Sequence, residues 1–122
     1  MSIPVEIGDL KSALAAFGSG YLLTTSDGRV KVVTVDPAYD DDGFRIAGPG
    51  RGTLANLAAN DAVTLVFPPR EPRGYTLLVD GRGAVEGEDV RVEPATAVLH
   101  RPASHADGPL PPDGCGHDCA PV

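Results

Sequence analysis

Alternating apolar and polar positions run through the first half of the chain and predict β-strands. Three such runs cover residues 21–25, 30–36 and 44–47. Asp27-Gly28 and Asp42-Gly43 separate them, and glycine in these dipeptides adopts the positive φ that hairpin turns need. The pattern therefore predicts three consecutive antiparallel strands.

The central strand of this group has apolar residues at both alternating sets of positions. Val30 and Val32 belong to one set, and Val33 and Val35 belong to the other with Lys31. Because successive side chains point to opposite faces of a sheet, this strand is expected to be buried on both sides. One side would face the interior of a barrel and the other a ligand or a second subunit.

Helical and strand patterns follow one another along the rest of the chain. A helix is predicted to begin at Asp9 and end at Gly18, because the apolar residues between them recur every three or four positions. A second helix is predicted at 53–60 and strands at 62–67, 75–86 and 90–100. Gly81 and Gly83 favour a bulge within the long strand rather than a hairpin. The chain is therefore predicted to be mainly β with short helices.

Length and composition predict one folded domain and a tail. The 122 residues, 42% of them hydrophobic, suffice for one core. Residues 1–101 are assigned to the domain. Residues 102–122 hold five of the twelve prolines, mixed with Gly, Asp and Ala, and cannot bury a core of their own.

Charge and hydropathy narrow the classes of partner. A net charge of −7 disfavours nucleic acid and anionic membrane surfaces, which attract basic proteins. Apolar runs are far shorter than the roughly 20 residues of a membrane-spanning helix, and residues 1–20 do not resemble a secretory signal. A cytoplasmic protein is predicted. Because the core is small and lacks Trp, an uncovered sheet face or edge would favour a homodimer.

A glycine-rich loop between the third strand and the second helix is the first candidate for chemistry. Residues 48–52 read Gly-Pro-Gly-Arg-Gly and bring backbone N–H groups, the guanidinium of Arg51 and a helix N-terminus together. These groups suit a phosphate. The alternative is a plain connecting turn with a solvated Arg51, since the loop lacks both the Walker and the GxGxxG spacing.

Other polar clusters give weaker signals. Cys115, His117 and Cys119 in the tail allow a disulfide, a metal site or a functionally silent or redox-sensitive segment, and no metal ligand is assigned. The acidic run 40–42 precedes Gly43 and is interpreted as a hairpin tip rather than a cation site. No spacing indicates a catalytic triad, so catalytic residues are not assigned.

The motifs in their order resemble a known family over about residues 8–100. The two Asp-Gly turns, the Gly50-to-Leu57 pattern GR-x-x-x-x-NL opening a helix, and the Asn60-Asp61 start of the next strand are together similar to the pyridoxamine 5′-phosphate oxidase-like split β-barrel family. The resemblance implies a six- to seven-stranded antiparallel split barrel. It also implies a homodimer that holds FMN, or in some branches a deazaflavin or haem, between its subunits.

The same resemblance implies a set of cofactor-binding residues, with one strand along the flavin ring and the glycine-rich loop at the phosphate. These residues are Lys31, Val32, Val33, Thr34, Gly48, Gly50, Arg51, Gly52 and Thr53. Flavin binders of the family usually have Lys three residues before the Asn-Leu pair, where this sequence has Thr53. A hydroxyl brings no charge, so phosphate affinity would depend on Arg51 and backbone N–H groups.

Two functions follow from these expectations. The first is a flavin-binding (FMN or deazaflavin) oxidoreductase-like protein acting on a small organic molecule, in which the flavin carries the redox chemistry. The second is a non-catalytic split-barrel protein without flavin that binds haem or a metal. Flavin binding would distinguish them.

Overall fold

A computed structural model describes residues 2–102 as one antiparallel sheet with short helices. The strands are β1 (Ser2–Val5), β2 (Gly20–Ser26), β3 (Arg29–Val35), β4 (Ala38–Asp40), β5 (Gly43–Ile46), β6 (Ala62–Phe67), β7 (Thr76–Glu86) and β8 (Asp89–His100). The helices are α1 (Leu10–Leu14), which follows a 3₁₀ turn at Ile7–Asp9, and α2 (Arg51–Ala59). Within residues 2–102, neither helix has the length and apolarity to cross a membrane.

The eight strands form a sheet in the order β3-β2-β6-β7-β8-β5-β4, with β1 added to β8. The long strand β8 pairs with β7 along one edge. Its other edge pairs with β5 at residues 90–92 and with β1 at residues 97–100. This double pairing lets the sheet curl around a core. The predicted mainly β architecture is confirmed, and the two short strands β1 and β4 are additions to it.

Aromatic rings join several strands inside the core. Phe44 of β5 stacks on Phe67 of β6 with 6.0 Å between ring centroids. Tyr39 of β4 meets Phe44 edge-on at 4.7 Å, and Phe17 lies 6.4 Å from Phe67. The remaining core consists of aliphatic side chains. It includes Leu10, Leu22, Val35, Ile46, Leu57, Val63, Leu65, Leu77, Val79, Val90, Val92 and Ala97.

The first helix is shorter than its sequence pattern predicts. After Leu14 the backbone N–H groups bond three residues back, for example from Phe17 to Leu14 at 3.0 Å, so the chain tightens into turns. The guanidinium of Arg70 donates to the carbonyl of Phe17 at 2.7 Å. Asp9 precedes α1 but makes no side-chain capping bond. Packing of Phe17 against the core thus overrides continuation of the helix.

The bulge predicted in the long strand is confirmed by the pairing register. Asp80 pairs with Thr96 but Gly81 pairs with Pro94, which leaves Ala95 of β8 as the extra residue. A Cβ atom on Gly81 would lie against the carbonyl oxygen of Glu93, closer than real Cβ contacts occur. Glycine is therefore required here by close backbone approach.

Replacing Gly81 with alanine is expected to lower the free energy of unfolding by about 1–3 kcal/mol, since the methyl group meets backbone rather than a flexible side chain. Urea denaturation followed by circular dichroism measures the change. Gly8→Ala is the matched control, because no atom lies within 4 Å of the added Cβ there. Equal urea midpoints for the Gly81→Ala and Gly8→Ala variants would contradict the close backbone contact at the bulge.

Strand β3 is not buried on both sides within the single chain. It forms one edge of the sheet, and Val30 and Val32 are 60% and 53% exposed. Only Val35 of this strand is buried and Val33 is half-buried. Val33 and Val35 face the core, whereas burial of the side with Val30 and Val32 by a ligand or a second subunit stays a prediction.

The exposed surface of β3 continues across the neighbouring strands of the sheet. Thr34, Tyr21, Val66, Leu78 and Val98 are successive partners across β3, β2, β6, β7 and β8. Partners in an antiparallel sheet share one face. We call this face the outer face; its apolar members include Tyr21, Leu23, Val30, Val32, Val66, Leu78, Val98 and Pro4, the partner of Val98 in β1.

Candidate functional site

The start of helix α2 lacks the groups that usually cap a helix. Its N-cap residue is Gly50, at φ 104° and ψ 161°, a backbone conformation that favours glycine and brings no capping side chain. No acidic residue lies in the first turn. The first backbone N–H groups of a helix have no acceptor within it, so this turn presents donors without a capping acceptor.

The side chain of Lys31 crosses from β3 to this turn. A Cβ atom placed on Gly52 would lie 2.8 Å from Cε of Lys31 and 3.1 Å from its Nζ. The lysine therefore occupies the space that any larger residue at position 52 would fill. Its ammonium group lies at the N-terminal turn of α2.

Strand register and helix periodicity together produce this contact. Lys31 is the cross-strand partner of Thr24 in β2, so both side chains share one face. Asn56 donates from Nδ2 to the hydroxyl of Thr24 at 3.1 Å. Gly52 precedes Asn56 by one helical turn and lies on the same side of α2. The Asn56–Thr24 bond thus holds the helix so that Gly52 meets Lys31.

Two cationic residues lie at the N-terminal end of α2, which is the positive end of the helix dipole. Arg51 is the first residue of the helix, and the ammonium of Lys31 lies beside Gly52. Within residues 2–102, neither takes part in an ion pair. Cations are disfavoured at a helix N-terminus and anions are favoured there. The arrangement suits an anionic ligand.

A cleft of about 590 Å³ opens between the β2–β3 hairpin and α2. The residues that line it are one apolar and five polar or charged: Ser26, Asp27, Arg29, Val30, Lys31 and Asn56. Asp27 is its carboxylate, against the two cations Arg29 and Lys31. The cleft therefore has a net positive lining, and it shares Lys31 with the start of α2.

A second cleft of similar size lies between α1 and the segment after β6. Its lining is mostly apolar and includes Phe17, Tyr75 and Leu99. The guanidinium of Arg70 on its edge donates to a backbone carbonyl. Helix α1 lines this cleft with Ser12 and Ala13 rather than with its first residues, so the cleft offers a phosphate fewer free backbone donors than the start of α2 does.

The other glycine-loop residues have different environments. The backbone N–H of Gly48 donates to Oδ1 of Asp89 at 3.0 Å, so this donor already has an anionic acceptor. Thr53 is fully buried, and its Oγ1 has no hydrogen-bond partner in the described part of the chain. Gly50, Arg51 and Gly52 are exposed. The open part of the predicted loop therefore consists of residues 50–52.

The predicted residues of β3 divide between two faces. Lys31 and Val33 share the face toward α2, whereas Val32 and Thr34 belong to the outer face. The structure thus brings Lys31 to the glycine-rich loop and turns Val32 and Thr34 away from that side of the strand. Sequence reasoning missed Thr24 and Asn56, although a threonine within an apolar strand and the Asn-Leu pair were visible signals.

The acidic run 40–42 forms the β4–β5 turn, as its sequence predicts. The backbone N–H of Asp42 donates to Asp40 at 2.8 Å, and Nε of Arg45 does so at 3.1 Å. The Asp42 hydrogen bond, with the guanidinium groups of Arg45 and Arg91, lowers the pKa of Asp40 below its ordinary value. Residues 2–102 contain no group of three side chains suited to a metal ion. Cys115, His117 and Cys119 lie outside the described residues.

Comparison with curated proteins finds two mycobacterial relatives. An uncharacterized protein of Mycobacterium bovis, Mb0449c, is 39% identical over 132 aligned positions that cover 94% of this chain and 92% of the relative. An uncharacterized protein of Mycobacterium tuberculosis, MT0457, matches to the same extent. No protein-family model matches the chain.

Solved structures share the fold at low sequence identity. A FAD-binding protein of Mesorhizobium loti has a TM-score of 0.64 at 18% identity, covering 81% of this chain and 96% of the other. A candidate pyridoxamine 5′-phosphate oxidase of Corynebacterium glutamicum has a TM-score of 0.58 at 11% identity, with 80% and 91% covered. The haem storage protein HutZ of Vibrio cholerae has a TM-score of 0.57 at 13% identity, with 75% and 92% covered.

These similarities agree with the strand order and confirm the resemblance found in the sequence. The mycobacterial relatives align along nearly the whole chain, and the solved structures share its antiparallel sheet. The chain therefore belongs to the same family as these mycobacterial proteins and has the split β-barrel fold of the pyridoxamine 5′-phosphate oxidase-like proteins.

Proposed function

We propose that this protein is a homodimeric flavin-binding protein, with FMN or a deazaflavin as its cofactor, that acts as an oxidoreductase on a small organic molecule. The observation that carries the proposal is the uncapped start of α2, where Arg51 and Lys31 bring two positive charges without a counter-ion in the described part of the chain. A phosphate ester supplies the missing anion.

The residues present fit the phosphate end of such a cofactor. Gly52 has no side chain where Lys31 crosses the helix, and the amides of residues 51–53 lie at the positive end of the helix dipole. Arg51 would add a charge-assisted hydrogen bond. When bound, the flavin supplies the redox chemistry, while the chain binds and orients it. Similarity to a FAD-binding protein supports this class of ligand.

The outer face supports the homodimer. Tyr21, Val30 and Val32 are large apolar side chains that remain exposed on an edge strand and its neighbour. Exposed edge strands and apolar patches are usually covered in native proteins. A second copy of the chain that packs its outer face against this one would cover the exposed edge strand and the apolar side chains together.

Arg51→Ala is expected to weaken FMN binding about ten- to hundredfold, because it removes a charge-assisted contact to the phosphate. Quenching of flavin fluorescence during titration measures the dissociation constant. Arg45→Ala is the control, since Arg45 is similarly exposed but pairs with Asp40 away from α2. Equal FMN affinity of the wild type and the Arg51→Ala variant would show that Arg51 does not contact the phosphate.

Titrating the wild-type protein with flavin and with haem distinguishes the proposed function from the alternative, a non-flavin binding protein. A wild-type protein that leaves flavin fluorescence unchanged but develops a Soret band with haem would support the non-flavin binding protein instead. Similarity to a haem storage protein makes haem the relevant second ligand.

A further inference from the structure

We propose that residues 109–112, here called the proline segment, dock in the apolar cleft between α1 and the segment after β6 of the same chain. The proline segment reads Pro-Leu-Pro-Pro and lies outside the described residues, which end at Pro102. The residues that line the cleft come from neither α2 nor β3, so the proposal does not depend on flavin binding. Four features of the chain support it.

The lining of the cleft suits a proline-rich segment. Phe17 and Tyr75 supply two aromatic rings, Leu99 supplies an aliphatic wall, and Gly74 adds no side chain. Proline-rich segments favour the extended polyproline II conformation and bind in grooves lined by aromatic side chains. Phe17, Tyr75 and Leu99 are each half-buried, so part of their apolar surface remains open to an occupant.

The chain leaves its last strand at the wall of this cleft. The guanidinium of Arg101 lies 4.3 Å from the centre of the Tyr75 ring, and Tyr75 lines the cleft. Arg101 also donates from Nη1 to the carbonyl of Arg73 at 3.4 Å. Leu99, two residues earlier, is itself part of the lining. These contacts place the end of the described chain beside the cleft.

The connection from Pro102 to the proline segment is short. Residues 103–108 separate the two, and six extended residues span about 20 Å at most. A short tether keeps a segment near its site at an effective concentration on the order of millimolar. Weak contacts of Leu110 with the cleft would therefore suffice for docking within one chain, and the proline segment would act as an internal ligand that covers the cleft.

The charges on the two sides are complementary. Residues 103–122 contain three aspartates and neither lysine nor arginine. Arg70 lines the cleft and Arg101 lies over one of its rings, against a single carboxylate in the lining. Asp107 and Asp113 flank the proline segment on either side. Opposite charges around an apolar contact favour this segment over a basic one and help to fix its position.

The cysteines of the chain provide the test. Cys115 and Cys119 are its two thiols, so Cys119→Ser leaves one site for a nitroxide label, three residues beyond the proline segment. In a ¹⁵N-labelled sample the label should broaden the amide resonances of Gly74 and Ala16, which line the cleft. The resonance of Gly28, in the turn at the other end of β2, should stay sharp. Reduction of the nitroxide with ascorbate gives the reference spectrum.

Two matched pairs of substitutions identify the contacting surfaces. Leu110→Asp places a charge within the proline segment and should abolish the broadening at Gly74, because a carboxylate is costly in an apolar cleft. Val122→Asp makes the same change outside the segment and should leave the broadening intact. On the other side, Ala16→Glu should abolish it and Ala15→Glu should not, since both alanines are exposed but Ala16 lines the cleft and Ala15 does not.

A mixed sample tests whether the segment belongs to the same chain. Protein labelled with ¹⁵N and lacking nitroxide is mixed with nitroxide-labelled protein at natural isotope abundance. We expect no broadening at Gly74 in this mixture. Broadening as strong as in the doubly labelled chain would show that a second copy supplies the segment, and would overturn the proposal. It would also be overturned by a sharp Gly74 resonance in the doubly labelled chain, or by broadening that survives Leu110→Asp.

Discussion

Phe44→Ala is expected to lower the free energy of unfolding by about 3–5 kcal/mol, the range for removing a buried aromatic side chain. Phe44 is fully buried and contacts both Tyr39 and Phe67, so the cavity would separate β4, β5 and β6. A domain of this size usually has a total stability of about 5–15 kcal/mol. The variant should therefore lose a large share of its stability, measured by urea denaturation.

Phe44→Leu is the matched control for this prediction. Leucine keeps an apolar side chain at the same position, so the loss should be clearly smaller than for alanine. If leucine destabilises the protein as much as alanine does, the stabilisation comes from the ring contacts with Tyr39 and Phe67 rather than from bulk apolar volume. An alanine variant as stable as the wild type would contradict the core described here.

Val32→Asp is expected to convert the proposed dimer into monomers, with the dimer dissociation constant raised at least about a thousandfold. Burying an unpaired carboxylate carries a penalty of several kcal/mol per ion, and a twofold interface contains the substitution twice. Val32 is 53% exposed on the edge strand of a single chain, which makes it accessible to a partner. Sedimentation velocity over a range of concentrations measures the change.

Ile3→Asp provides the comparison for Val32→Asp. Ile3 is 43% exposed, and the pairing of its neighbour Pro4 with Val98 places Pro4, not Ile3, on the outer face. This variant should remain dimeric. A wild type that sediments as a monomer, or a Val32 variant that stays dimeric, would show that the outer face is not the interface.

Strand β3 takes part in both the proposed phosphate site and the proposed dimer interface. Its successive side chains point alternately toward α2 and to the outer face. Lys31 points toward α2 and Val32 lies on the outer face, one residue apart. If both assignments hold, the phosphate site and the dimer interface share a strand. A change in the pairing register of β3 by one residue would exchange the two faces.

Local pattern predicted where most strands lie but not their order. The prediction of three consecutive antiparallel strands at 21–25, 30–36 and 44–47 is wrong, because β3 and β5 are not neighbours in the sheet and the second Asp-Gly turn joins β4 to β5. The run 62–67 is a strand with the predicted bounds, and the two Asp-Gly turns lie between paired strands. These features depend on alternation and on the positive φ of glycine, which are local properties. Strand β1 was missed because four residues with a proline carry little periodic signal, and it exists only through pairing with β8.

The site was predictable only in part. The loop before α2 and the role of Arg51 followed from residue types close together in the sequence. The contact of Lys31 with Gly52 joins residues 21 positions apart on different elements, and it depends on the Asn56–Thr24 hydrogen bond. Similarly, the burial of Thr53 depends on which side of α2 packs inward, and the acceptor for Gly48 comes from Asp89.

By itself, the sequence determined a mainly β domain with hairpins at the Asp-Gly turns and a glycine-rich loop before a helix, because alternation and turn chemistry act over a few residues. The tertiary structure alone decided which strand forms the sheet edge and which lysine reaches the start of α2. Those outcomes depend on strand register and helix orientation, which arise from contacts between distant parts of the chain.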